Sequence, residues 1–328
     1  MWHGERPPLP EETEPGEYIH GWQYHASSLP ETIYREEELE PLLGGARTAL
    51  LRSQAGPCAG VHLTALPLQE ETKWEAAQLR VLLLRRLRLS FPLGPGRCRC
   101  GQTLDNLGDH RAACGNCGVL QTRAVPLKRM WRRVCREAGG RLLSGYLRDL
   151  SLGGGAPTDD RRLECVVTGL SLHNGAQFAV DTILVSPLKR NGDPRPRARW
   201  EDGAALADAR KRKEKRYPEL RGTRCCLVVT AMEVGGRWSN EAHDFLEALA
   251  AAKAQDAPVL LRGSSCRHWM RRWSAFLAVA GMRAFANTLL YGTASNTEVL
   301  EGATPQLGQF LGLEHDLKKP GVSRLGPR

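Results

Sequence analysis

The chain has 328 residues, with 46 Lys plus Arg against 36 Asp plus Glu and a formal net charge of +10 at pH 7. That length suffices for two domains or for one core with large appendages, and the cation excess directs attention to a polyanionic partner. No run of 18 apolar residues occurs, and the opening MWHGERPPLPEETEPGEYIHGW has neither a basic start nor an apolar stretch. The composition therefore argues against a membrane span, and an intracellular location without a signal peptide is expected.

In chain order, residues 1 to about 70 are rich in Pro, Glu and Gly, and predict a loosely ordered lead-in with at most short helices. From Lys73 to Leu89 the apolar residues recur at helical spacing, which predicts a packing helix ended by Pro92 and Gly94. Four of the ten cysteines, Cys98, Cys100, Cys114 and Cys117, then fall within twenty residues beside His110. In a reducing compartment such clustering favours a metal over cystine.

Zinc takes four soft or borderline ligands on a tetrahedron. Cys98, Cys100, His110, Cys114 and Cys117 offer five candidates for four places, so one is redundant. His110 and Cys114 stand i, i+4, close enough to meet on one helical turn, whereas Cys98 and Cys100 are separated by a single residue. A structural zinc is expected here, with free thiols as the alternative.

After this cluster, VPLKRMWRRVCREAGG predicts a helix with Met130, Val134 and Cys135 inward and Lys128, Arg129, Arg132, Arg133 and Arg136 on a basic face. Three strand-like runs follow, Arg141 to Leu147, Arg162 to Gly169 and Ala176 to Ser186, divided by turns at Gly153 to Gly155 and at Asn174-Gly175. A Pro-rich loop leads to a helix over Gly203 to Tyr217, a buried strand over Cys225 to Glu233, and helices over Asn240 to Lys253 and Cys266 to Leu290. The remaining tail shows no period. The order helix, three strands, helix, strand, helix indicates an α/β fold with a mixed sheet and flanking helices.

Glu164 in RRLECVV and Asp181 in AVDTILV lie on consecutive strands. If these pair as a hairpin, the two acids approach closely enough to share one Mg²⁺, a hard cation that prefers carboxylate oxygens and that activates water and polarises a phosphate. The plainer alternative is a pair of strand acids facing solvent. In the next helix, Lys213 and Tyr217 are one turn apart. A lysine at this place orients or deprotonates water and stabilises charge growing on a phosphate. Arg210, Lys211, Arg212, Lys215 and Arg216, with Arg132 and Arg133, are read as nucleic-acid contacts, although RKRKEKR alone also reads as a basic patch or nuclear address. Glu137 and Glu233 are weaker candidates for metal contacts, and are read as surface or edge acids.

With these residues in view, the chain resembles the region downstream of the reverse transcriptase in site-specific non-LTR retrotransposons that carry a restriction-enzyme-like endonuclease. Cys98, Cys100, His110 and Cys114 match the order of that family's Cys-Cys-His-Cys knuckle. Asp181 matches the second acid of its PD-(D/E)XK nuclease, and Lys213 and Tyr217 match the Lys and Tyr of the following helix. Glu164 stands where the family has Asp after Pro, and Ile183 is apolar where many such enzymes hold a lysine. The phrases HGWQYHAS, GDHRAAC, RVCREAG, YPEL and EVGGRWSNEA are similar to those of such open reading frames.

The resemblance implies four segments: a partly disordered lead-in and connecting helix (1–96), a zinc knuckle (97–120), a restriction-endonuclease-like core (121–257) and a C-terminal helix with a flexible tail (258–328). It implies a Mg²⁺-dependent endodeoxyribonuclease that nicks target DNA for target-primed reverse transcription, with Zn²⁺ in the knuckle. DNA and element RNA are the implied partners and the nucleus the implied location, with no membrane or small-molecule substrate. No Tyr-x-Asp-Asp signature occurs, so the polymerase step is expected elsewhere and the chain reads as part of a polyprotein. A non-catalytic zinc-containing nucleic-acid-binding module, or an inactive remnant, is the alternative.

Overall fold

The computed structural model describes residues 31, 33–91, 96–117, 119–120, 123–143, 145–147, 161–172, 175–221 and 225–290. The turn expected at Gly153 to Gly155, Asn174, the helix stop at Pro92 and Gly94, and the two ends (1–30 and 291–328) lie outside that set. After a short helical stretch over residues 34–42, and leaving aside single 3-10 turns, its elements in order are α1 (Gly45–Ser53), α2 (Val61–Thr64), α3 (Ala76–Arg86), α4 (Asp109–Ala113), α5 (Val125–Glu137), β1 (Arg141–Leu143), β2 (Cys165–Thr168), β3 (Gln177–Val185), α6 (Ala204–Arg216), β4 (Cys225–Glu233), α7 (Asn240–Ala254) and α8 (Arg262–Leu290).

Among the described residues the strands form one mixed sheet in the order β1-β2-β3-β4. β2 runs antiparallel to both β1 and β3, while β4 is parallel to β3 over its whole length, Gln177 opposite Cys225 through Val185 opposite Glu233. A parallel neighbour cannot be reached by a tight turn, and here the return passes through α6. Gly203 starts that helix with φ +72°, a left-handed conformation that costs a residue with a Cβ about 1 kcal/mol or more.

Side-chain alternation assigns the two sheet faces. Phe178, Val180 and Leu184 of β3 join a cluster with Leu127, Trp131 and Val134 of α5, Leu246 and Leu249 of α7, and Trp273 and Leu277 of α8. The opposite face, with Ala179 and Val185, packs on Ala205, Leu206 and Tyr217. The parallel pair β3 and β4 is thus covered on both faces, which is why CCLVVTAME of β4 reads as a continuous apolar run. α7 begins at a Ser239 cap, whose hydroxyl accepts from the Ala242 N–H at 3.2 Å. α8 runs for 29 residues and crosses β4 at Gly281, where a Cβ would come within 2.5 Å of Met232 Sδ.

The lead-in departs from expectation. Ala49 and Leu50 of α1 are buried against Leu188, Ala198 and Ala204. The main chain docks as well: Ser53 O accepts from Arg237 N at 3.1 Å, and Pro57 O accepts from Trp238 N at 3.0 Å. Asp202 then closes the contact between Arg52 and Arg237, each at 2.8 Å. Ala46, Ala49 and Leu50 stand at i, i+3 and i+4, but that apolar stripe is one turn long among Pro, Gly and Glu residues, too short to mark a packing helix, and backbone and charge contacts complete the docking. β1 is shorter than expected, ending at Leu143, with an isolated Tyr146 to Arg162 bridge further along.

Candidate functional site

The site is built on the β2–β3 pairing. Cys165 lies opposite Val180, so Glu164, one residue before, and Asp181, one residue after, stand at the same level. The Glu164 N–H donates to Val180 O at 3.2 Å and carries the pairing to that point. Both acids line a cleft of about 660 Å³ together with Lys128, Arg132, Lys213 and Tyr217. α5 and α6 cover opposite faces of the sheet, and both contribute side chains to the cleft.

Each carboxylate meets one lysine. Lys213 Nζ lies 2.7 Å from Asp181 Oδ2, with side-chain exposures of 17% and 1%. Among the described residues the Lys213 ammonium is the partner of this buried oxygen, and a carboxylate with one such contact keeps lone-pair capacity for a cation. Lys128 pairs with Glu164 Oε1, and Arg132, one turn further along α5, donates to Glu164 O at 3.1 Å. Burial raises the Glu164 carboxyl above the ordinary carboxylate range; Lys128 opposes that shift and Asp181 adds to it.

Tyr217 is almost wholly buried, and its hydroxyl donates to Arg162 O at 2.8 Å. Burial, reinforced by Asp181, pushes the phenol up to about 12. It is therefore a neutral donor near pH 7 that fixes the chain entering β2.

The cysteine cluster presents a second arrangement. Ligand atoms of Cys98, Cys100, His110 and Cys114 all lie within 4.8 Å of one another. Cys98 Sγ is 3.8 Å from Cys114 Sγ, and Cys100 Sγ is 3.3 Å from His110 Nε2. A tetrahedron with Zn–S bonds of about 2.3 Å has S···S edges of about 3.8 Å, so this set is compatible with an ion such as zinc. Cys98 and Cys100 both take part because Gly101, at φ +86°, turns the chain sharply between them and Gln102. The side chain of Cys117 lies outside the described set.

Asp105 holds the histidine turn, accepting from the N–H groups of Asp109 at 2.9 Å and His110 at 2.7 Å. Asp109 pairs with Arg85 and Arg88 at 2.5 Å each. The buried Arg123 donates both to Ala112 O, at 2.7 Å, and to Leu184 O of β3. The cluster is thereby tied to the sheet that carries Asp181.

The chain matches no family model, no curated protein and no solved structure.

The expected nucleic-acid contacts divide into two groups. Arg132 and Arg216 line the cleft, and Lys211, Arg212, Lys215 and Arg216 are exposed on α6. Arg133 instead pairs with Glu71 and Glu137, and Arg210 pairs with Glu214 and Glu241. These two arginines are engaged by acids of the protein itself. Glu137 accepts from Arg133 and from Trp273 Nε1 at 2.7 Å, and so anchors α8 to α5.

Glu233, read as a surface or edge acid, ends the edge strand β4 but is not at the surface. It is 2% exposed, outside the cleft, and burial pushes its carboxyl up to about 7 against the pull of Arg237. Lys128 was legible as part of a basic face, but its pairing with Glu164 was not. The available signal was its i, i+4 spacing to Arg132, which lets both residues reach one point. No helix among the described residues is long and apolar enough to cross a membrane.

Proposed function

We propose that the cleft is the cutting centre of a metal-dependent DNA endonuclease, with Glu164 and Asp181 holding a divalent cation such as Mg²⁺. The observation carrying this reading is the convergence of two paired-strand carboxylates with Lys213 in one cleft. A hard divalent ion bound there would lower the pKa of water and neutralise phosphate charge. Lys213 would orient the attacking water and offset charge building on the phosphate. Tyr217 would keep the β2 approach in place, and Arg132, Arg216 and the exposed cations of α6 would hold the nucleic-acid backbone.

The order helix, three strands, helix, strand, helix around a mixed sheet fits a restriction-endonuclease-like core. Together with a cluster of three cysteines and one histidine preceding it, that order supports assignment to the endonuclease region of a non-LTR retrotransposon protein. Its activity would then be nicking of chromosomal DNA in the nucleus to prime reverse transcription of element RNA.

The test is incubation of supercoiled plasmid with zinc-loaded protein, in Mg²⁺ or in EDTA. Nicked circles should appear only with Mg²⁺, and Asp181→Asn should reduce them at least ~100-fold while duplex binding persists. One observation favours the second reading, a non-catalytic nucleic-acid-binding module: both carboxylates already carry a lysine partner. That reading prevails if binding is strongly salt-dependent and no Mg²⁺-dependent product forms.

A further inference from the structure

Glu164 is gripped from α5 at two points, its side chain by Lys128 and its main-chain oxygen by Arg132. Asp181 is reached from α6 by Lys213. The two acids are therefore held by ammonium groups arriving from opposite faces of the sheet, and all four side chains line the same cleft. The two pairs are not equivalent. The Asp181 side chain is 1% exposed and the Glu164 side chain 19%, with Lys213 at 17% and Lys128 at 23%, so the Lys128–Glu164 pair is the one more open to solvent. Lys128 thus sits at the solvent side of the cleft, on a flexible four-carbon stem that can swing away from Glu164 without leaving its helix.

We infer that Lys128 is a positioning residue that pairs with Glu164 until a divalent cation and a nucleic-acid phosphate arrive together, and then swings its ammonium group over to pair with the phosphate. This rests on the reading of the cleft given above. The reasoning is charge balance. A divalent cation entering between the carboxylates meets an ammonium already neutralising one of them, so it binds weakly while Lys128 stays in place. A phosphate beside Lys128 offers the ammonium another anion and frees the carboxylate. Metal and nucleic acid should therefore strengthen one another's binding, by thermodynamic reciprocity.

The measurement is Mn²⁺ binding by calorimetry to zinc-loaded protein, with and without a phosphorothioate duplex that resists cleavage, for the parent protein, Lys128→Met and Lys128→Arg. Asp181→Asn, which should lose the Mn²⁺ signal, confirms which site is read. In the parent protein the duplex should tighten Mn²⁺ binding about 10-fold. Lys128→Met should bind Mn²⁺ at least about 3-fold tighter without duplex and lose most of the coupling, and Lys128→Arg should retain it. Thermal melts identify a variant that does not fold, and Lys128→Gln then takes the place of Lys128→Met. Parent-like Mn²⁺ affinity and coupling in the uncharged variants would overturn the inference and leave the nuclease reading standing. Absence of Mn²⁺ binding in every protein, with or without duplex, would overturn both.

Discussion

Lys213 Nζ lies 2.7 Å from Asp181 Oδ2, joining a lysine with 17% of its side chain exposed to a carboxylate with 1% exposed. The pair bridges the crossover helix α6 and the central strand β3, two elements that also share an apolar contact face. Removing one partner of a buried pair costs about 3–5 kcal/mol, mostly because the other charge stays behind unpaired. Lys213 keeps partial solvent exposure, which screens the pair and places the expected cost of Lys213→Met nearer about 2 than about 5 kcal/mol.

That relationship is open to test without any assay of cutting. Lys213→Met should lower unfolding stability by about 2 kcal/mol, and adding Asp181→Asn to it should restore at least half of the loss. Chemical denaturation of the two single variants and the double variant measures the coupling. Additive losses would mean that the two side chains do not interact in solution.

The cysteine cluster carries an expectation of stoichiometry. The set Cys98, Cys100, His110 and Cys114 is complete with four ligands, so elemental analysis should find about one zinc per chain. Cys114→Ser should lose it and Cys117→Ser should keep it. Because Asp109 and Arg123 tie the cluster to α3 and the sheet, zinc removal should also depress the melting temperature of the whole fold, by several degrees on the scale of about 1–2 kcal/mol. Retention of zinc in Cys114→Ser would show a different ligand set.

Salt dependence separates the free cations from the engaged ones. Lys211, Arg212, Lys215 and Arg216 are exposed and make no ion pair among the described residues, so replacing any one by Ala should reduce the slope of log binding constant against log salt by about 1. Arg133→Ala and Arg210→Ala should leave that slope nearly unchanged, since those guanidinium groups already answer Glu71, Glu137, Glu214 and Glu241. Duplex binding measured at several salt concentrations decides between the groups.

Glu233 sets a pH dependence of stability. Its carboxyl is raised from 4.5 to about 7 by burial, so between those values the folded state binds more protons than the unfolded state. Stability contributed by this group is present below about pH 4.5 and is lost as pH rises towards 7, a loss of about 3 kcal/mol in total. Glu233→Gln should match the parent protein near pH 5 and exceed it near pH 8. Equal stability of the two proteins at pH 8 would mean that the carboxylate is not buried in solution.

The sequence by itself determined the order of the larger elements from α3 onward. Strand-like runs between turn residues marked β1 to β3, a continuous apolar run marked β4, and apolar recurrence at helical spacing marked α3 and α5, because these patterns follow from backbone geometry. The cysteine and histidine spacing likewise showed a local metal-compatible set, since its members lie within one short loop and turn. Only the tertiary structure decided which charges meet across the fold: Lys128 with Glu164, Arg133 and Arg210 with acids from other elements, Glu233 sealed from solvent, and α1 docked through Ser53 and Asp202. Periodicity reports which side of an element turns inward, whereas pairing between elements far apart in the chain depends on the packing of helices across the sheet, and no local pattern encodes that.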